Sequence, residues 1–179
     1  MSWKFDPAHA QITFSARHMM IMTIRGGFDN FDGAVEFDEQ DPINSSVELQ
    51  IETASINTNE TQRDEHLKSP DFLNVEQYPY LTFKSKRIEK IDESHGRIIG
   101  DLTIRDVTNE VVLETEYLGQ AKSPWGTTSA GFNAHTKINR KDWGLTWNVA
   151  LETGGVLVSD EIAIDIELEI VKQPEAETA

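Results

Sequence analysis

Ile162-Ala163-Ile164-Asp165-Ile166-Glu167-Leu168-Glu169-Ile170 is the stretch that decides the fold. Ile162, Ile164, Ile166, Leu168 and Ile170 share one phase, and Asp165, Glu167 and Glu169 share the other. A strand, with its period of two, puts these sets on opposite faces, whereas a helix at 3.6 residues per turn would mix them. The segment is therefore a long strand with one apolar and one wet face.

The same alternation recurs on the N-terminal side. Ile12, Phe14 and Ala16 oppose Thr13, Ser15 and Arg17, and Val47, Leu49 and Ile51 oppose Glu48, Gln50 and Glu52. Leu81 and Phe83 lead another strand, and Leu102 and Ile104 a further one. Val111, Leu113, Thr115 and Tyr117 lie opposite Val112, Glu114 and Glu116, and Phe132, Ala134, Thr136 and Ile138 lie opposite Asn133, His135 and Lys137. Asp41-Pro42 and the segments 92–96, 106–109, 119–126 and 139–144 are rich in turn-forming Gly, Pro, Asn, Asp and Ser. Such short connections make neighbouring strands antiparallel. With Phe28 to Phe37 counted as one strand the total is about eight, the number at which an antiparallel barrel holds one small ligand or is filled by side chains. A two-sheet sandwich fits the same alternation.

Thr58 to Asn74 breaks the pattern. Arg63, Asp64, Glu65, His66 and Leu67 follow cap-capable Asn59 and Thr61, which predicts a short helical insertion over about residues 60–74. Ser69-Pro70 suits a second capped turn carrying Phe72 and Leu73 as an apolar plug, a lid over one barrel mouth.

Bulk properties narrow the function. A chain of 179 residues suits one domain, here 1–172, followed by a short acidic tail over 173–179 with nothing to bury and expected to be disordered. Sixteen Lys and Arg against 31 Asp and Glu give a net charge of −15, which repels nucleic acid and an anionic membrane surface over most of the molecule. The absence of cysteine excludes disulfides, thiolate metal sites and cysteine nucleophiles. No secretory signal is visible, which leads to an expectation of a cytoplasmic location, and no apolar run reaches the roughly 18 residues that span a bilayer.

Histidines at 9, 18, 66, 95 and 135 lack the i,i+4 or i,i+2 spacing that presents two rings to one ion, so no metal site is expected. His95 falls in a turn and His135 on a wet face. His18 continues the inward phase of Phe14 and Ala16, where it is either a satisfied core histidine or a contact for a ligand headgroup. Arg63, Asp64 and His66 lie within one helical turn and suit an anion, with an ordinary exposed helix face as the plain alternative. No G-x-S-x-G elbow and no glycine-rich phosphate loop is present, so neither a cofactor nor catalysis is expected. The inward apolar set expected to line a lumen is Phe14, Ala16, Phe28, Leu49, Ile51, Phe72, Leu73, Phe83, Leu102, Ile104, Leu113, Phe132, Ile164 and Ile166. Burying about 300 Å² of a lipid tail there would contribute roughly 7 kcal/mol before association costs, against about 0 to 1 kcal/mol for an exposed headgroup ion pair.

Several phrases stand out together: Phe5-Asp6-Pro7-Ala8-His9, Phe14 to His18, Arg25-Gly26-Gly27-Phe28, and above all Arg63-Asp64-Glu65-His66-Leu67-Lys68-Ser69-Pro70-Asp71-Phe72, with Tyr78-Pro79 and Phe83 after it. Together they resemble the YceI-like family, the polyisoprenoid-binding lipocalin-like proteins of bacteria. Gly100-Asp101-Leu102-Thr103-Ile104 and Ile138-Asn139-Arg140-Lys141-Asp142-Trp143-Gly144-Leu145 extend the similarity over about residues 3–171. The resemblance implies an eight-stranded antiparallel lipocalin-like β-barrel with a helical insertion. It also implies a polyisoprenoid or other long amphiphile as ligand, sometimes with a pyrophosphate head, and a tendency to homodimers. His9, His18, Arg63, Asp64, His66, Asn139, Arg140 and Asp142 occupy polar motif positions, of which His18, Arg63, Asp64, His66 and Arg140 are the expected contacts for a polar head. Where the family usually reads Gly-Val-Thr this chain has Asp106-Val107-Thr108, and Asp tolerates a left-handed turn there. The expected function is binding of an isoprenoid-type lipid for transport, storage or sequestration. The alternatives are an enzyme acting on an isoprenyl pyrophosphate with His18 or His66 as general base, or a packed barrel whose acidic surface meets a basic protein.

Overall fold

The structure, a computed structural model, describes residues 2–152 and 155–173. The alternating segments become strands: β1 (Trp3–Phe5), β2 (Gln11–His18), β3 (Met22–Phe28), β4 (Phe31–Glu36), β5 (Ser46–Glu52), β6 (Ile56–Asn57), β7 (Tyr80–Lys90), β8 (His95–Ile104), β9 (Val107–Lys122), β10 (Thr128–Asn139) and β11 (Glu161–Lys172). One α-helix, α1 (Thr61–Lys68), lies between β6 and β7. The strands form a single antiparallel sheet in the order β4-β5-β7-β8-β9-β10-β11-β2-β3-β6, with β1 added on β11. Inward residues meet in register: Ile166 lies opposite Ala134 on one side and Ile12 on the other, and Ile164 opposite Thr136 and Phe14.

Among the described residues eleven strands stand where about eight were expected. The predicted strand from Phe28 to Phe37 is broken at Asp29-Asn30, and its neighbour is broken by the 3₁₀ turn Thr53–Ser55. The ladder nevertheless crosses the break. Phe28 pairs with Ile56, the Asp29 N–H donates to the Ser55 carbonyl (3.1 Å), the Glu52 N–H donates to the Asn30 carbonyl (3.0 Å), and Phe31 pairs with Ile51. β3–β4 and β5–β6 thus act as two bent strands, through which the sheet curls back on itself as a lipocalin-like barrel. β3 lacks visible alternation because Gly26 and Gly27 carry no side chains. Gly26 is required by close packing: an added Cβ would sit 2.7 Å from both Phe14 Cζ and Thr58 Cγ2.

Two expected turn details come out differently. The helix is capped by Glu60, whose carboxylate accepts from Gln62 N and Arg63 N at 3.2 and 2.6 Å, while Asn59 takes a left-handed φ of 62°. A carboxylate at a helix N-terminus also meets the positive end of the helix dipole. In the β8–β9 turn the left-handed residue is Arg105 (φ 58°), one position before Asp106. At the C-terminus the Gln173 N–H still donates to the Ser2 carbonyl at 2.9 Å, and the rest of the predicted acidic tail, 174–179, lies outside the described residues.

The main core gathers Ile12, Leu49, Ile51, Leu81, Phe83, Leu102, Val111, Leu113 and Ile166, closed by Trp143, whose indole N–H donates to the Leu102 carbonyl at 2.9 Å. A smaller cluster of Trp3, Ala130 and Ile170 packs with Phe37, Tyr117 and Phe132 at the other end. There Phe37 meets Phe132 edge-on at 5.3 Å.

On the outer surface His9 Nδ1 lies 2.8 Å from Asp6 Oδ2 and 3.9 Å from Glu169 Oε2. The hydrogen bond to Asp6, then the charges of Asp6 and Glu169, raise the imidazole pKa. A raised folded-state value means that the contribution to stability is complete below the unfolded value of about 6.5 and is lost as pH rises through the folded one. The stability difference between the wild type and His9→Gln is therefore expected to be small, as for exposed pairs, present at pH 5.5 and absent at pH 9. Urea midpoints at the two pH values check it, and a difference that grows with pH contradicts it.

Candidate functional site at the helix-side mouth

The site is assembled from the insertion that broke the strand pattern. α1 sits across one end of the barrel, and the chain after it turns so that the Leu73 N–H donates to the Leu67 carbonyl at 3.0 Å, which seats Phe72 and Leu73 as buried plugs. Ser69 orders this turn: its hydroxyl donates to the His66 carbonyl (2.6 Å) and accepts from the Asp71 N–H (3.3 Å).

Thr58, also buried, organises the polar side chains. Its hydroxyl donates to Asp64 Oδ1 (2.5 Å) and accepts from Arg63 Nε (2.7 Å), while Arg63 Nη2 donates to the Thr58 carbonyl (2.7 Å). Asp64 also accepts the Thr58 N–H at 2.9 Å. The guanidinium is thus held rigidly while Nη1 makes no hydrogen bond to the described residues. His66 is oriented separately: Nε2 lies 2.9 Å from Asp71 Oδ2, and the ring stands perpendicular to Trp147 at 4.4 Å and beside Phe72 at 5.2 Å.

Arg140 plays a different part. Only 3% exposed, it donates from Nε to the Ser159 carbonyl (2.9 Å), from Nη1 to the Leu145 carbonyl (2.6 Å) and from Nη2 to the Val158 carbonyl (3.4 Å), with Asp160 at 3.8 Å. Burial pushes its pKa down and Asp160 opposes the shift. It clamps Leu145 and residues 158–160 to the start of the 3₁₀ turn Arg140–Trp143.

Beneath this mouth lies a cavity of about 510 Å³, and a second of about 310 Å³ opens at the opposite end of the barrel. Leu49, Phe83, Leu113 and Ile166 line both, so these four buried side chains form a waist where the two cavities adjoin. Of the residues expected along a tail, Phe132 lines the far cavity and all the others line the helix-side one. His18, Arg63, His66 and Arg140 also border the helix-side cavity; Asp64 does not, because it faces Thr58.

Sequence reasoning missed Thr58, Trp147, Leu157 and Val158 on the helix side and Val35, Phe37, Ile98 and Tyr117 at the far end. Trp147 and Val158 belong to a segment without alternation, where Asn148 replaces the ladder by donating to the Val158 carbonyl (2.8 Å) and accepting its N–H (3.1 Å). Outside the lumen, Asp6, His9 and Glu169 bring ligand atoms within 4.8 Å of one another, the one such His-containing group among the described residues that could hold an ion. Spacing rules could not find it, since Glu169 comes from β11. No helix among the described residues is long and apolar enough to cross a membrane.

Comparison with known proteins agrees with this geometry. The YceI-like domain is matched over residues 3–170. The chain is 41% identical to Protein YceI of Escherichia coli over 165 residues, covering 92% of this chain and 83% of that one. It is 36% identical to a UPF0312 protein of Staphylococcus aureus over 169 residues, 94% and 96% of the two chains. Among solved structures, the YCEI protein of Campylobacter jejuni superposes with a TM-score of 0.78 at 33% identity, covering 88% of this chain and 90% of that one. A domain from Saccharophagus degradans, described as polyisoprenoid-binding and implicated in plant cell wall breakdown, shares the fold with a TM-score of 0.68 at 14% identity, covering 97% and 99%. With its helical phrase capping a curled antiparallel sheet, and with a match over nearly its whole length, the chain belongs to the YceI-like family.

Proposed function

We propose that the protein binds one long amphiphile of the isoprenoid class, its tail threaded through the waist of the lumen and its polar head at the helix-side mouth beside Arg63, His18 and His66. The observation that carries this is the pair of cavities along the barrel axis that adjoin at four apolar side chains, with a guanidinium nitrogen at one end that makes no hydrogen bond to the described residues. Open space along the barrel axis weighs against a lumen filled by side chains. His66, weighed above as a general base, has Nε2 beside Asp71 and its ring edge-on to Trp147. Family membership supports the same ligand class, and the fold neighbour from Saccharophagus degradans is described by it. Transport, storage or sequestration, and pairing of two copies, belong to this reading.

Organic extraction of purified protein followed by mass spectrometry is expected to yield a prenyl-chain lipid at close to one per chain. Protein that is ligand-free and fails to take up a prenyl probe overturns the reading. The head is tested separately. Arg63→Gln is expected to weaken binding of a prenyl pyrophosphate about tenfold, the value of one partly screened charge-assisted hydrogen bond, and to leave the corresponding prenyl alcohol nearly unaffected. Equal losses for both ligands would mean that Arg63 shapes the mouth and does not meet the head.

A further inference from the structure

The hairpin joining β2 to β3 breaks the turn rules at the rim of this mouth. His18 pairs with Met22, and Met19, Met20 and Ile21 form the loop. Met19 and Met20 both take positive φ, 53° and 64°, the left-handed conformation that hairpin turns normally fill with Asn or Gly. Burial does not offset the strain: Ile21 is 80% exposed, Met22 59% and Met20 57%. A local rule broken without a packing gain points to function.

The tip is continuous with the wall of the lumen. The Met19 N–H donates to the Leu157 carbonyl at 2.8 Å, the Met20 thioether lies over Gly155, and the exposed Val149 and Val156 flank the same loop. Leu157, Val158 and His18 line the helix-side cavity. The exposed Met19, Met20, Ile21, Met22, Val149 and Val156 thus form an apolar crown adjoining the residues that line the lumen.

Charge selects the partner. In a chain with 31 acids, residues 7–28 contain none, and the outer face of the hairpin carries the exposed Arg17 and Arg25. Neither arginine has a carboxylate within 4.0 Å among the described residues. The acids of the neighbouring segment are Glu152 and Asp160; Asp160, next to the Ser159 that bonds Arg17, already faces Arg140 and Lys141. With a screening length of about 8 Å at physiological salt, more distant acids do not set the potential at the tip.

We propose that this crown docks the lumen mouth onto a phospholipid bilayer surface. Met19, Met20, Ile21 and Met22 enter the boundary between headgroups and acyl chains, and Arg17 and Arg25 meet lipid phosphates. A tip-to-tip second copy would instead bring two arginines of each chain against two of the other. The lipid-binding reading supplies the purpose of the docking, since cargo would pass between membrane and lumen without crossing water, but docking itself is read on cargo-free protein.

The test is flotation of delipidated full-length protein with phosphatidylcholine vesicles, with and without phosphatidylglycerol. The wild type is expected to float with the mixed vesicles, and the triple variant Met19→Asn, Met20→Gly, Ile21→Ser to lose at least about tenfold of that binding. Because Asn and Gly suit the left-handed positions, its melting temperature is expected to be unchanged or raised, which separates docking from folding. Arg25→Gln is expected to weaken binding mainly to the phosphatidylglycerol vesicles. The proposal is overturned if the wild type floats with neither vesicle, or if the triple variant floats equally well. A concentration-dependent dimer that the triple variant abolishes, without any vesicle binding, would assign the crown to a second copy. Intact flotation with no uptake of a soluble prenyl probe would overturn the cargo reading alone.

Discussion

Arg140→Met is expected to destabilise the protein by about 3 to 5 kcal/mol, the cost of removing one partner from a buried charged network. Methionine preserves much of the volume but none of the donors. The Leu145 and Ser159 carbonyls lose the guanidinium bonds given for them, whereas the Val158 carbonyl keeps Asn148. Each buried acceptor left without a donor costs about 1 to 3 kcal/mol. For a chain of this size the change corresponds to a fall in melting temperature of about 10 °C. Because Arg140 anchors the segment that carries Trp147, Leu157 and Val158, the mouth is expected to loosen along with the fold. Urea unfolding measures the first effect and uptake of a prenyl probe the second. A stability loss below 1 kcal/mol would show that water replaces the guanidinium and that the clamp is dispensable.

The largest functional effect is expected from Leu113→Trp. Leu113 is one of the four side chains lining both cavities, and it is buried. An indole at that position fills the waist and blocks a tail from reaching from one cavity to the other, at an overpacking cost of about 1 to 3 kcal/mol that leaves the barrel folded. A prenyl chain of about 15 carbons, held on the helix side, should bind much as in the wild type. A chain of about 40 carbons would lose the burial of roughly 100 Å² in the far cavity, or about 2.5 kcal/mol at 25 cal/mol/Å², nearly a hundredfold in affinity. Competition binding with the two chain lengths decides the matter. Equal losses would mean that the tail does not pass the waist, and no loss for either would place the ligand elsewhere.

These expectations draw on features that the sequence reveals unequally. The strands around Phe14, Leu49, Leu113, Phe132 and Ile166 were legible because side-chain direction on a strand repeats every two residues, which is local information. β3 was hidden by Gly26 and Gly27, whose missing side chains create room for Phe14 and Thr58 and remove the pattern at the same positions. The break at Asp29-Asn30 was hidden because it exists only through pairing with the equally bent β5–β6 strand.

The polar site was legible as a set of residues and not as an arrangement. Arg63, Asp64 and His66 share one helical turn, which suggested a joint anion site. The fold separates them: Asp64 is committed to Thr58, His66 to Asp71 and Trp147, and Arg63 borders the helix-side cavity with Nη1 making no hydrogen bond to the described residues. Arg140, in an equally polar phrase, is enclosed by carbonyls from residues that follow it in the chain.

The sequence by itself determined that the chain alternates apolar and polar faces along most of its length, carries one capped helical insertion and places Arg63, Asp64 and His66 on one turn of it, because helix and strand periodicities and caps are short-range properties. Tertiary structure alone decided that the sheet closes through a bend, that side chains from β5, β7, β9 and β11 meet at a waist, and which polar side chains border the lumen. Those outcomes depend on pairing register and on contacts between residues far apart in sequence, which no local pattern encodes.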